Sequence, residues 1–205
     1  MYLKTLFVSG VAALALQVSA LAAPIMSITV GGSNVLNVPG PAPVVLALEV
    51  NLNSDGQDYA GWQHALIASD PALFQYDAPV AQLEPASGLA AGDLLFAPAA
   101  NTPLGNGFGD EISVFKFSPG DVGPVNGHVE TIFISSIAAL PLGSYTFQIG
   151  DSGQGHFLVE ANPSVVNTPF GDPGVFTLNI TPEPGSLLML VAGALPLAMR
   201  RRRMA

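Results

Sequence analysis

The residues that invite a chemical reading are few and scattered. Ser152 lies in Gly150-Asp-Ser-Gly153, a small-residue loop that could present a serine nucleophile. Such a serine needs a base and an oriented acid within hydrogen-bond reach. The chain has three histidines, His64, His128 and His156, and none sits in H-x-x-x-H or H-E-x-x-H spacing. Zinc needs three or four ligands with supporting spacing, so each histidine reads as a polar residue near a turn or a strand edge. Asn51, Asn53, Asp55 and Asp58 place oxygen ligands along Asn51-Leu-Asn-Ser-Asp-Gly-Gln-Asp58, with Gly56 at a sharp turn. That is the start of a calcium loop, but the position of the closing bidentate carboxylate holds Trp62. The stretch is either a hairpin loop or a weak Ca2+ site completed by acids elsewhere. Trp62 and Tyr59, with Phe74 and Tyr76 nearby, form either core or an aromatic platform for a sugar ring. No cofactor is expected, with Ca2+ the one ion that the spacing admits.

The Gly150–Gly153 tetrad matches the nucleophile loop of chymotrypsin-like proteases. Gln154 stands where that family has glycine, and no matching histidine segment precedes it. A hairpin turn between Phe147–Ile149 and Phe157–Val159 explains the same residues, since Gly, Asp and Ser are turn formers. No catalytic residue is therefore assigned, and an exported hydrolase stays the lesser alternative.

Composition narrows the class further. Twenty-two glycines and eighteen prolines, 49% hydrophobic residues and only 10% charged ones describe a turn-rich all-β domain. There is no cysteine, so the domain must hold by its core without disulfides. Between Ala23 and Thr181 fourteen acids face one base, Lys116, a net charge of −13. A surface of that sign repels phosphate backbones, and nucleic acid is excluded as a partner.

The two ends read as addresses. Lys4, the apolar run Leu6–Leu16 and Ala20-Leu-Ala22 make a secretory signal peptide, residues 1–22, a helix cut after Ala22 by signal peptidase. At the other end Pro182-Glu183-Pro184 precedes an apolar stretch, Gly185–Met199, and the cluster Arg200, Arg201, Arg202 and Arg203. Fifteen helical residues span about 22 Å, short of the roughly 30 Å hydrocarbon core. A single such transmembrane helix can still cross if its arginines snorkel, and these would stay on the cytoplasmic side.

Motif, helix and arginine cluster in that order resemble the PEP-CTERM sorting domain, here residues 181–205. The resemblance implies that an exosortase, a membrane-embedded enzyme of Gram-negative bacteria, reads and removes the tail. It also implies transient residence in the inner membrane, and export to the cell envelope, surface or extracellular matrix. The family is associated with exopolysaccharide and biofilm.

Residues 23–180 then form the exported domain. Strands are expected at Ile25–Val30, Val44–Leu52, Ala60–Ile67, Leu73–Tyr76, Asp93–Phe96, Glu111–Phe117, Val129–Ile134, Ser144–Ile149, His156–Glu160 and Val175–Ile180. Turns are expected at Asn53–Gly56, Ser118–Asp121, Asn126–Gly127 and Asp151–Gly153. The fold class is all-β, a β-sandwich. The order of Leu48-Glu-Val-Asn-Leu52, Ala60–Ile67, Ser69-Asp-Pro-Ala-Leu-Phe74, Glu130-Thr-Ile-Phe-Ile134 and Gly174–Ile180 resembles the cohesin-like sandwich, of jelly-roll type. That resemblance implies a protein- or carbohydrate-binding module. The expected function is thus a non-catalytic surface or matrix protein, processed by exosortase. Its partner is exopolysaccharide or another exported protein.

Overall fold

The structure, a computed structural model, describes residues 23–105, 110–116, 122–151, 153, 155–160 and 166–183. The expected signal helix, Pro184, the tail helix and Arg200–Arg203 lie outside these residues, as does Ser152. Among the described residues no helix is long and apolar enough to cross a membrane.

The described chain is all-β. Its strands are β1 (Ile25–Thr29), β2 (Val35–Gly40), β3 (Val45–Asn53), β4 (Gly61–Ala68), β5 (Phe74–Leu83), β6 (Leu94–Phe96), β7 (Glu111–Phe115), β8 (Asn126–Ser136), β9 (Gly143–Gly150), β10 (Phe157–Glu160), β11 (Val166–Pro169) and β12 (Val175–Pro182). One sheet has the order β1-β3-β8-β5. The other runs β11-β10-β4-β9-β12-β2, with β7 also on β4 and β6 on β7. All pairings are antiparallel except β12 with β2. The two sheets close a sandwich over one core.

Period-two patterning drives that closure. Along β3 the residues Leu46, Leu48, Val50 and Leu52 are buried, while Ala47 between them is exposed and Val45 just before them is 75% exposed. Each such aliphatic side chain stabilises the fold by about 2 kcal/mol through the apolar area it removes from water. From the second sheet Trp62, Leu66, Ile112, Phe147, Phe176 and Leu178 meet them. Phe147 packs edge-on against Phe74 at 4.9 Å between ring centres, and tilted against Phe176 at 6.1 Å.

Several expectations change. Asn126-Gly127 is not a turn: both residues lie in β8, opposite Asn53 and Leu52. The Asp151–Gly153 segment is not a hairpin turn either. Gly150 of β9 and Glu111 of β7 both pair with Ala65, so they hold opposite edges of β4. Since β7 also pairs with Gly61–Gln63, β10 must share the edge that β9 holds. Strands β9 and β10 therefore follow one line along β4, with Asp151, Gly153, Gly155 and His156 in the bulge between them. Asp151 anchors the bulge, its Oδ1 accepting from the backbone N–H of Gly153 at 2.6 Å and of Gly155 at 2.7 Å.

Gly61 shows how closely two strands approach. A Cβ at that position would run into the backbone carbonyl of Val114 across the β4–β7 ladder. Strand β5 runs on past Tyr76 to Leu83 through an irregularity between Tyr76 and Ala81, next to the cis Ala78–Pro79 bond. Strand β12 ends at Pro182, in parallel register with Gly40. Thr181 and Pro182 thus belong to the sheet rather than to a separate tail.

Candidate functional site

The outward side of the four-stranded sheet carries two ordered rows of polar side chains, most of them partly exposed. Pairing registers define rows across it. Gln82, Thr131, Glu49 and Thr29 form one row. His128, Asn51 and Ser27 form the next, with Glu84 close by. The next row is apolar, Phe133 beside Ala47, and the one beyond is mixed, with Val45 beside Ser135 and Gln75. Phe133 is half-buried. No lysine or arginine occurs in these four strands.

Hydrogen bonds stiffen the polar rows. Thr131 Oγ1 donates to Glu84 Oε1 at 3.0 Å and lies 3.0 Å from His128 Nε2. His128 Nε2 is 4.0 Å from Glu84 Oε1, a long, partly exposed ion pair when the imidazole is protonated. On β5, Asp77 Oδ1 accepts from Ser135 Oγ at 2.8 Å. Asn51 Nδ2 donates to Thr29 Oγ1 at 2.9 Å, and Thr29 Oγ1 donates to Glu49 Oε2 at 2.9 Å.

Glu49 has a structural task. Its carboxylate accepts from the backbone N–H of Gly31 at 3.1 Å and of Gly32 at 2.9 Å, which tethers the turn after β1. The Gly32 N–H holds the Glu49 carboxyl below the usual carboxylate range, helped by Thr29 and Gly31 and opposed by burial.

The other candidates are placed differently. Trp62 and Tyr59 are both 0% exposed, so their rings offer no face to a sugar. Tyr59 Oη donates to the Ser87 carbonyl at 2.6 Å, and burial pushes its phenol up to about 12. The accessible aromatic on the sheet is Phe133, which the sequence reading missed. The proposed ion ligands are dispersed. Asn51 lies on the outer face with its amide engaged by Thr29 and by the Glu49 carbonyl. Asn53 Oδ1 accepts from the Asp55 N–H at 3.0 Å, closing a tight turn in which Asp55 has φ 52° and Gly56 φ 79°. That loop is built as a turn whether or not an ion joins it. Among the described residues no group of three His, Asp or Glu side chains is arranged to hold a metal. Of the sorting motif, Pro182 and Glu183 are exposed at the end of β12.

His64 departs most from expectation, because it is a core residue and not a strand-edge one. It is 0% exposed, and its Nε2 lies 3.0 Å from Glu130 Oε2, which also accepts from Trp62 Nε1 at 2.9 Å. The partners stand 66 positions apart, and no local motif could have joined them. His156 packs on Phe170 at 4.7 Å between ring centres; burial, then His64, holds its pKa down to about 4.

No protein-family model and no curated protein matches the chain. Among solved structures the chain is similar to the third ScaB cohesin of R. flavefaciens, solved with a group 1 dockerin. Identity there is 13% over 80% of this chain and 99% of that one, with a TM-score of 0.48. It is similar also to the type III cohesin module of the cell-surface anchoring scaffoldin ScaE of Ruminococcus flavefaciens, at 13% identity over 79% and 89% of the two chains and a TM-score of 0.46. The seventh ScaB type I cohesin of Pseudobacteroides cellulosolvens gives 12% identity over 79% and 94%, with a TM-score of 0.42.

Proposed function

We propose that the chain is a non-catalytic recognition module that binds another exported protein through the outer face of the β1-β3-β8-β5 sheet. One observation carries the reading: a strip of Val45, Ala47 and Phe133 runs beside two rows of hydrogen-bonding side chains on a single face. Apolar contact next to satisfied polar groups is the pattern of protein interfaces. The carboxylates of Glu49, Asp77 and Glu84 and the lack of lysine and arginine in these strands favour a neutral or basic partner surface.

Delivery to the cell surface belongs to the same proposal. The signal-like residues 1–22 and the Pro182–Pro184 motif with its arginine cluster support export and removal of the tail by exosortase. A matrix role beside exopolysaccharide follows from that resemblance.

The test uses the mature protein, immobilised and exposed to culture medium from the cells that make it. Ala47→Arg puts a bulky charge on an exposed position of the face without touching the core. Capture of a defined protein should fall about tenfold or more, a loss of roughly 1.4 kcal/mol. Unchanged capture would remove the face from consideration. Co-sedimentation with the purified matrix polysaccharide, sensitive to Ala47→Arg, would assign the face to carbohydrate instead.

A further inference from the structure

Trp62, His64 and Glu130 are each 0% exposed. Trp62 and His64 belong to β4 of the larger sheet, and Glu130 to β8 of the other. One oxygen, Glu130 Oε2, serves both partners, accepting from Trp62 Nε1 at 2.9 Å and lying 3.0 Å from His64 Nε2. The carboxylate thus ties the two sheets together through the middle of the sandwich. The tie is only half satisfied, since among the described residues Glu130 Oε1 and His64 Nδ1 are buried without a hydrogen-bond partner. A buried carboxylate with a bare oxygen is costly, and a proton arriving from solvent would settle on that oxygen.

We propose that Glu130, clamped between Trp62 and His64, is an acid-operated lock between the two sheets. The bookkeeping of the proton gives its direction. With the carboxylate charged, Oε2 accepts two charge-assisted hydrogen bonds. Once Oε1 is protonated, both bonds become weaker neutral ones, and the new O–H meets no acceptor. A protonated His64 would at the same moment lose its counter-charge. Acid therefore loosens the tie. Alkali leaves it closed, because a neutral His64 with hydrogen on Nε2 still donates to Oε2.

The surrounding titratable groups are identified. Tyr76 of β5 lies near Glu130 and Asp110, and its phenol is pushed up by burial and then by Asp110. Tyr76 Oη reaches the Asp110 carbonyl at 3.5 Å. Glu111 of β7 is 4% exposed, and burial raises its pKa, against a hydrogen bond from Gln63. His156, just before β10, senses His64 from the other edge of β4. On the solvent side of β8, His128 Nε2 lies 2.9 Å from the Glu130 backbone carbonyl. Among all of them the Glu130 carboxylate is the group that bonds to the single tryptophan, so the indole reports on the tie directly.

The experiment follows hydrogen exchange of the Trp62 indole N–H in the full exported protein, corrected for intrinsic rates, alongside far-UV circular dichroism. As the protein is acidified within the range where the β signal holds, indole protection should fall at least tenfold, an opening local to the tie. Glu130→Gln keeps an acceptor for Trp62 and cannot take up the proton, so its indole protection should stay flat. His156→Phe should keep the wild-type fall. A flat wild-type profile would overturn the lock. So would a fall of equal size in Glu130→Gln, or loss of protection and β signal together.

Discussion

Trp62 and Glu130 join the two sheets of the sandwich by a 2.9 Å hydrogen bond in which neither residue is exposed. Trp62→Phe removes the indole donor and leaves Glu130 with His64 alone. Losing a buried bond to a charged acceptor, with a smaller ring in the same space, should cost about 3 kcal/mol. Urea unfolding should show a lower midpoint with an unchanged slope, the sign of lost stability without a changed denatured state.

Gly61 gives a steric counterpart. Its missing Cβ is what lets β4 and β7 pair at Val114 and Phe115. Gly61→Ala must separate the strands there, and overpacking of that kind costs about 3 kcal/mol. Backbone N–H exchange should quicken in β7 and its partner β6 before it does in β3 or β8. Exchange rising equally in all four strands would show that β7 is not the element displaced.

Glu49 tethers the turn after β1 through the N–H groups of Gly31 and Gly32. Its folded pKa is depressed, so its contribution is full above the ordinary carboxylate value and is lost as pH falls through the lower, folded value. Glu49→Gln should cost about 1 kcal/mol at neutral pH, discounted for partial exposure, and nothing once the wild-type carboxyl is protonated. Chemical denaturation of both proteins at neutral and acid pH checks that the two stabilities converge.

His156 predicts a second acid effect, distinct from the first. Burial holds its folded pKa at about 4, against an ordinary value of 6.5. The unfolded chain therefore binds the extra proton more readily between those values. Stability from this group is whole above pH 6.5 and is lost as pH falls toward 4. Allowing for its partial exposure, the loss is about 2 kcal/mol. In His156→Phe that part of the slope of stability against pH should vanish while the ring contact with Phe170 remains. An unaltered slope would place the acid sensitivity elsewhere.

What the sequence made legible was the interior of each sheet. Strands β3, β4, β7, β9 and β12 announce themselves because both their edges are paired or their alternation is unbroken. What it concealed lay at the margins. Strand β2, the far half of β5 and strand β11 each contain a proline, Pro39, Pro79 and Pro169, and each lies at the edge of its sheet. Proline argues against a strand when sequence is read locally, yet it is tolerated at an edge because the ladder there needs no donor on one side. The parallel pairing of β2 with β12 spans the whole domain and has no local signature. Trp62 shows the same limit from the side of function. A lone aromatic beside Tyr59 reads as core more readily than as platform, and its carboxylate partner, 68 residues away, is what holds it in the core.

The junction between domain and tail yields the last prediction. Ile180 of β12 is 3% exposed, and its side chain fills the space that a Cβ on Gly40 would need. Thr181 and Pro182 continue the parallel register with Pro39 and Gly40, so the sheet persists into the first residue of the sorting motif. Glu183, exposed and outside the strand, is the first position where the chain can be cut without touching a pairing partner. A chain ending at Glu183 should therefore melt within about 1 °C of one that keeps the tail, since it retains every pairing partner of β12. A chain ending at Asn179 loses Ile180 from the core and three rungs of the β2–β12 ladder. It should be destabilised by about 4 kcal/mol, a fall in Tm of roughly 10 °C or more for a domain of this size. Equal melting of the two truncated chains would mean that the end of β12 does not hold β2, and would free Pro182 to act as part of a detachable tail.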